Sequence, residues 1–434
     1  MNSSSLAGHV VELLDKIVKS NSPADRIISD FYRERRYLGS HDRKWINERV
    51  YAIMRNLLLL KSISGSCDPG SGLLGIFLAY EIGLAKKSTQ DTSKDYSQLI
   101  ETYRLAGHRV DLDQFSSCLV DRLAVIEKSR TLLWYSFPEF FEGLLAVDVR
   151  PEIPELLAAL NHEGQMCLRV NASRCTREDV VRHFAGRGLE VTETKYSPAG
   201  IYVHKRLNLN TDRFYLDGMF EVQEEASQLL GLVVNPGAGE TVVDACAGAG
   251  GKSLQIADLS GRTARIITLD IDSKRLSSLT SRARRAGFDN IETREAGLWN
   301  YKGIEDLIGA ADKVVIDAPC TGSGTIRRNP DKKFKLNEDD VYKMASYQER
   351  LIKHYSSLVK TGGELFYATC SIFKNENSDI IARFLESTRN FRKLDVGELL
   401  PARLAGVVED GFVSTYPHRH GMDGFFIAAL KREE

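Results

Sequence analysis

TVVDACAGAGGKS (241–253) decides how the second half of this chain is read. A short apolar strand ends at Asp244. A turn follows through Cys246, Ala247, Gly248, Ala249, Gly250 and Gly251, and Lys252 opens a helix. Glycines there let the backbone approach a ligand closely and leave helix-start amides free to donate to it. The loop lacks the GxGxxG of dinucleotide folds, and it lacks the four residues between Gly and Gly-Lys that a phosphate-binding Walker loop needs. Taken alone it could be only a tight turn. The strand ARIITLD (264–270) strengthens it by ending in Asp270, roughly twenty residues beyond the loop. A carboxylate at that strand end can accept both hydroxyl hydrogens of a ribose. Loop and acid together predict a nucleoside-containing cofactor, with Asp272 the neighbouring alternative.

Outward from this motif the rhythm is strand, helix, strand, helix. KVVIDAP (313–319) and GELFYATC (363–370) continue it, with helical patterns between, so residues 236–434 are expected to form an α/β domain around a parallel sheet. Two further motifs stand at the ends of those strands. IDAPCTGSGTIRRNPD (316–331) carries Asp317 and Cys320, and FYATCSI (366–372) carries Cys370. A free cysteine is often a small core hydrophobe. Two of them at the carboxyl ends of adjacent parallel strands lie where open α/β sheets bind ligands. Arg327, Arg328, Lys332 and Lys333 follow the Pro-Cys turn directly, and this basic run is expected to bind phosphate.

Upstream, the first 150 residues read as helices. Leu6, Val10, Leu14, Ile17 and Val18 recur at helical spacing; Ser22-Pro23 looks like a cap and first position; Ser40 looks like the cap of a long helix bearing Ile46, Val50, Ile53 and Leu57. Arg43, Lys44, Arg49 and Arg55 on its other face suit either a solvated surface or RNA. Pro151 and Pro154 mark a boundary, after which residues 151–235 fit a small α+β module: CLRVN (167–171), a helix near 176–187, then LEVTETKY and GIYVHKR. That module interleaves Arg169, Arg174, Arg177, Lys195, Lys205 and Arg206 with Tyr196, Tyr202 and Phe214, a weak pattern for phosphate contact with base stacking.

Bulk composition excludes more than it proposes. The formal net charge is -1 over 434 residues, so any polyanion contact must come from local patches. Seven scattered cysteines contain no CxxC, which argues against a zinc site or a disulfide framework and for a reducing, cytoplasmic compartment. The start has no signal-peptide order, and the apolar run Gly72–Ala85 is too short and too interrupted by Glu81 to cross a bilayer. The nine histidines form no ligand pattern; no metal and no membrane partner are expected, and the chain is expected to be a monomer.

The set DACAGAGGKS, DID, DAPCTGSGTIRRNPD and ATCS resembles the Sun/Fmu (RsmB-like) family of RNA 5-methylcytosine methyltransferases. RRYLGSHDRKWINERVYAIMRN is similar to the NusB-like domain preceding the catalytic region of its ribosomal-RNA members. VQEEASQL, with Gln223, Ala226 and Ser227, and PHRHGMDGFFIAALKR resemble the opening and closing segments of that region. The resemblance implies a Rossmann-like α/β methyltransferase domain preceded by an all-α NusB-like domain (1–150) and a small α+β RNA-binding module (151–235). It implies S-adenosyl-L-methionine as cofactor, held by residues 246–252, Asp270 and Asp317. It implies Cys370 as the attacking thiolate, Cys320 as the residue assisting product release, and Asp317 and Lys252 as groups acting on the base. Ala249 stands where members often have proline, and Ala296 where an acid usually meets the adenine. Ribosomal RNA is the expected substrate. Transfer RNA and a non-catalytic role in ribosome assembly are the alternatives, while a DNA methyltransferase would use the Pro-Cys cysteine as nucleophile and need no TC partner.

Overall fold

Leu6, Val10, Leu14 and Ile17 are all buried on one side of α1 (Ser3–Lys19), as their spacing predicts, while Val18 falls off the stripe and stays exposed. The computed structural model describes residues 3–67, 72–81, 112–205, 207–297 and 299–434. It falls into two compact units: Met1–His162 with Ile326–Asn337, and Glu163–Thr325 with Glu338–Glu434.

The first unit is helical. After α1 come α2 (Ala24–Glu34), α3 (Ser40–Arg55), α4 (Leu57–Cys67), α5 (Gly72–Ala79), α6 (Leu112–Ser129) and α7 (Ile153–Asn161). The long third helix read from the sequence is two, because the chain leaves helical geometry at Asn56; Leu57 belongs to the core as the first residue of α4. Neither expected cap holds. Pro23 precedes α2 and offers no side-chain acceptor, so the Ala24 amide donates instead to Asp331 Oδ2 at 3.1 Å, a carboxylate 307 residues away. Ser40 is already helical, with Gly39 before it. The basic face of α3 is largely engaged within the unit. The Arg49 guanidinium stacks 3.5 Å over Trp45 and pairs with Glu81 at 2.8 Å, Arg43 donates to the Leu38 carbonyl, and Arg55 donates to the Arg327 carbonyl. Cys67 and Cys118 form a disulfide joining α4 to α6, a correction to the expectation against disulfide bonding; the other five cysteines form no disulfide. Residues 82–111, part of the expected all-helical region and of the apolar run to Ala85, lie outside the described residues.

Residues 326–337 are the larger departure. Read as the continuation of the catalytic domain, they pack inside the helical unit. Lys333 is 1% exposed, and its ammonium donates to the Arg55 carbonyl at the end of α3, to the Tyr135 carbonyl at 3.1 Å and to Asn161 Oδ1 at 2.6 Å. Burial pushes its pKa well down, helped by the Arg55 charge. The expectation of phosphate contact is therefore corrected for Lys333, whose donors already satisfy helix-end carbonyls. Arg327, Arg328 and Lys332 are half-buried and have interaction partners of their own.

The second unit holds both sheets. Four antiparallel strands run in the order β2-β3-β1-β4, with β1 Met166–Val170, β2 Val191–Glu193, β3 Gly200–Val203 and β4 Phe220–Val222. Helix α8 (Arg177–Ala185) covers them behind a Thr176–Asp179 capping box. This module is bolted to the larger sheet's helices by charges that the sequence offered to RNA. Arg169, 2% exposed, donates to Gln223 and pairs with Asp258 at 3.1 Å, and Arg174 donates to the Ala286 carbonyl. Arg206 lies outside the described residues. Helix α9 (Glu225–Val234) leads to the second sheet. Its strands are β5 (Thr241–Asp244), β6 (Arg265–Asp270), β7 (Ile291–Glu295), β8 (Ala311–Asp317), β9 (Val359–Thr369), β10 (Phe391–Leu394), β11 (Val408–Glu409), β12 (Phe412–Thr415) and β13 (Phe425–Arg432). They run in the order β11-β12-β13-β9-β8-β5-β6-β7, with β10 beside β13. No described helix is long and apolar enough to cross a membrane.

Candidate active site

Strand β5 (Thr241–Asp244) lies between β6 (Arg265–Asp270) and β8 (Ala311–Asp317), parallel to both. From β5 the chain steps outward through β6 to β7 (Ile291–Glu295), then returns to β8 and β9 (Val359–Thr369) on the other side. The strand order thus reverses between β5 and β8, and the carboxyl ends at such a switch point open into a crevice. All three motifs read from the sequence terminate there.

At the end of β5, Asp244 is fully buried and accepts from Ser253 Oγ at 2.6 Å. Burial pushes its pKa up to about 6, against the Ser253 hydrogen bond, with the Asp317 charge adding to the rise. The loop then turns with Gly248 at φ +54° and Gly250 at φ +88° before α10 (Gly251–Leu259). A Cβ on Gly250 would lie 2.4 Å from Leu279 Cγ, whereas one on Gly248 would meet nothing within 4 Å. The loop therefore packs on one side and is open on the other. Ala247 donates to the Leu269 carbonyl, and Ala249 accepts from Arg282. Cys246 is the loop's thiol; burial, with three neighbouring aspartates, pushes its pKa well above the ordinary value, so it stays a neutral packing group. Asp270 at the end of β6 holds the loop, accepting from the Gly248 amide at 2.9 Å and the Asp272 amide at 2.8 Å. Asp272 itself caps α11 (Ser273–Ala286). That leaves Asp270 as the acid facing the glycine turn.

Across the crevice, Asp317 at the end of β8 meets Lys252 at 2.6 Å. Burial presses the Lys252 pKa down, but the charge and hydrogen bond of Asp317 more than offset this, and the ammonium is held above its ordinary value. Beside this pair, Cys320 and Cys370 stand with their sulfurs 3.1 Å apart. Parallel pairing of β8 with β9, in which Asp317 sits opposite Ala368, puts the two strand ends level. The loops beyond are fastened to one another. The Gly324 amide donates to the Cys370 carbonyl at 3.0 Å, and Gly424, from the turn before β13 (Phe425–Arg432), donates to the Gly324 carbonyl at 3.0 Å. A side chain on Gly324 would place Cβ 2.1 Å from the Gly424 oxygen, so only glycine fits. Sequence reading missed Glu376, a fully buried carboxylate against both cysteine loops. A lone acid six residues past Cys370 carries no pattern of its own. The structure thus brings together Lys252, Asp317, Cys320, Cys370 and the glycine loop, whereas Arg327, Arg328, Lys332 and Lys333 fold with the helical unit.

Sheet order, glycine turn and paired strand-end thiols define a Rossmann-like methyltransferase domain. The comparisons then place the chain. Residues 231–431 match the profile "16S rRNA methyltransferase RsmB/F", and residues 138–210 match "Methyltr_RsmF/B-like, ferredoxin-like domain". The chain is 31% identical over 300 residues to the probable ribosomal RNA small subunit methyltransferase B of Synechocystis sp., covering 69% of this chain and 67% of that one. It is 32% identical over 272 residues to the Bacillus subtilis protein of the same name, 61% of this chain and 59% of the relative. A human relative named 28S rRNA (cytosine(4447)-C(5))-methyltransferase is 30% identical over 70% of this chain and 39% of its own length. The crystal structure of PH0851 superposes over the whole chain and 99% of its own, with TM-score 0.77 and 25% identity. The chain belongs to the RsmB/F family of rRNA methyltransferases; it spans 59–67% of the two bacterial relatives.

Proposed function

We propose that the protein transfers a methyl group from S-adenosyl-L-methionine to carbon 5 of a cytosine in RNA, with ribosomal RNA the first substrate to offer. The observation that carries this reading is the pair of sulfurs 3.1 Å apart at the ends of two adjacent strands, next to the Lys252–Asp317 pair. A methyltransferase acting by direct displacement has no use for two thiols at one point.

The residues present fit the cofactor. The open side of the turn at Gly248 and Gly250 gives a nucleoside room, and the Asp270 carboxylate can exchange an amide donor for ribose hydroxyls. When bound, S-adenosyl-L-methionine supplies an electrophilic methyl on sulfur. The protein's own task is to make C5 of cytosine nucleophilic. Cys370 adds as thiolate to C6, so the C5–C6 double bond opens and electron density moves towards C5 and N3. Asp317 lies at the strand end beside the thiols, positioned to hydrogen-bond the N3 side of the ring. Lys252, kept cationic, orients that carboxyl and offsets its charge. After methylation the C5 proton leaves to a base, the C6–S bond breaks, and Cys320 is the group placed to assist that release.

The test compares the parent with Cys320→Ala and Cys370→Ala, incubated with S-adenosyl-L-methionine and RNA, naked and in ribosomal particles. Cys320→Ala should accumulate a protein–RNA adduct on a denaturing gel; Cys370→Ala should form none and make no 5-methylcytosine. An adduct that depends on Cys320 instead reverses the two roles.

A further inference from the structure

The residues that follow the two cysteines, Thr321 and Ser371, converge on one carboxylate. Glu376 lies in the short turn Lys374–Glu376 after β9 and is fully buried. Its Oε1 accepts from the Thr321 amide at 2.8 Å and from Gln348 Nε2 at 3.1 Å; Oε2 accepts from the Thr321 hydroxyl and from the Ser371 hydroxyl. Gln348, on α12 (Glu338–Ser356), also donates to the Pro319 carbonyl at 2.8 Å, so it braces the Pro-Cys turn from its other side. Ser371 Oγ lies 2.9 Å from Ser323 Oγ, and Ser323 Oγ accepts from the Ile372 amide. The turn is itself held, because the buried Tyr367 hydroxyl donates to the Glu376 carbonyl at 2.7 Å.

We propose that Glu376 is a positioning residue that sets the spacing of Cys320 and Cys370 by accepting hydrogen bonds from the residue after each. The physical argument is one of register. Each loop alone is a connection beyond a strand end, the part of an α/β fold with the most freedom. Strand pairing levels Asp317 with Ala368, but Cys320 lies three residues past the last ladder pair. Some contact must carry the alignment onward to the sulfurs, and Glu376 joins the two loops one residue beyond each thiol. Hydrogen bonds to a buried carboxylate are among the stronger ones in proteins, enough to hold a loop in one arrangement. The role of Glu376 in the reaction is exercised through Thr321 and Ser371, whose donors it accepts. The catalytic consequence rests on the two-cysteine reading above; the geometric claim does not.

The experiment therefore has a readout that needs no RNA. Glu376→Gln keeps the size of the side chain, Thr321→Val removes one hydroxyl donor, and Thr321→Ser restores it. Each full-length protein is treated with diamide, which takes up the two thiol hydrogens, and formation of the Cys320–Cys370 disulfide is followed by peptide mass spectrometry. The parent and Thr321→Ser should close this disulfide at the same rate, with Glu376→Gln and Thr321→Val about tenfold slower, the change expected when one such hydrogen bond is lost. In methylation assays the slow variants should lose kcat about tenfold, with KM for RNA within twofold. Equal disulfide rates in the parent and a folded Glu376→Gln or Thr321→Val protein overturn the proposal; if Glu376→Gln does not fold, Thr321→Val decides. Slowed disulfide closure in Glu376→Gln and Thr321→Val, with a parent that makes no 5-methylcytosine, would leave the positioning role standing and remove the proposed function.

Discussion

Asp244 shows how a single residue carries conflicting demands. The strand-end position keeps it fully buried beside Asp317 and the thiol of Cys246, and its pKa stands at about 6, against 3.8 when exposed. Between these two values the folded protein binds a proton that the unfolded chain has lost, so stability must fall as pH rises through that window and stay lower above it. At about 1.4 kcal/mol per unit the loss approaches about 3 kcal/mol. Asp244→Asn keeps the acceptor for Ser253 and removes the titration. Its stability relative to the parent should rise by that amount between pH 4 and pH 7, measured by urea unfolding at each pH. Parallel curves for the two proteins would show that Asp244 does not titrate there. The sequence marks Asp244 as the residue ending the strand before the glycine turn, but nothing in its neighbours announces a raised pKa. Burial decides that, and burial depends on the helices laid over the strand.

At the scale of elements, the β5–α10 turn was readable from the sequence in full because its signal is local. Five consecutive glycine or alanine positions (247–251) between an apolar run and a Lys-Ser helix start have few backbone solutions. The structure adds which glycine is constrained by packing. Gly250→Ala forces a side chain into φ +88° and against Leu279, at a cost of about 1–3 kcal/mol from the backbone alone. It should lower the melting temperature and weaken binding of S-adenosylhomocysteine about tenfold or more by calorimetry. Gly239→Ala is the control: its φ is +77°, but a Cβ there meets nothing within 4 Å. Comparable loss of binding in both would mean that backbone strain, not the Leu279 contact, shapes the site. The helices of the first unit were legible in their buried stripes and not in their ends, since Pro23 has no side-chain acceptor to offer α2 and the cap comes from Asp331. Strand β4 was unforeseen: three residues long, it is too short for alternation to show.

At the scale of the whole molecule, the division into units cuts across the order of the chain. Residues 326–337 leave one unit after Thr325 and complete the other, where Lys333, Asp331 and Lys335 satisfy Arg55, Tyr135, Asn161, Ala24 and Ser22. Residues 1–162 expressed alone should therefore melt well below the helical unit of the full chain. Joining residues 326–337 to them through a flexible linker should restore most of the difference, and Lys333→Met in the joined protein should remove it again. Leaving a buried acceptor without its donor typically costs about 1–3 kcal/mol, and Lys333 serves three. A fragment 1–162 as stable as the joined form would show that the segment is only a passenger on the helices.

What the sequence determined by itself is the set of features written in neighbouring residues: helical stripes in the first half, the strand–turn–helix glycine loop, Asp270 at its strand end, and two cysteines at the ends of successive strands. Periodicity and spacing specify these because the backbone leaves few alternatives over five to fifteen residues. The tertiary structure alone decided which charges are free and which are fastenings. Arg169 and Lys333 read in sequence as candidate RNA contacts and Glu376 carried no pattern, yet each is buried, with partners 54 to 278 residues away for the two cations and within two different loops for the acid. A charge can leave water only where such partners meet it, and no local pattern records where distant segments will meet.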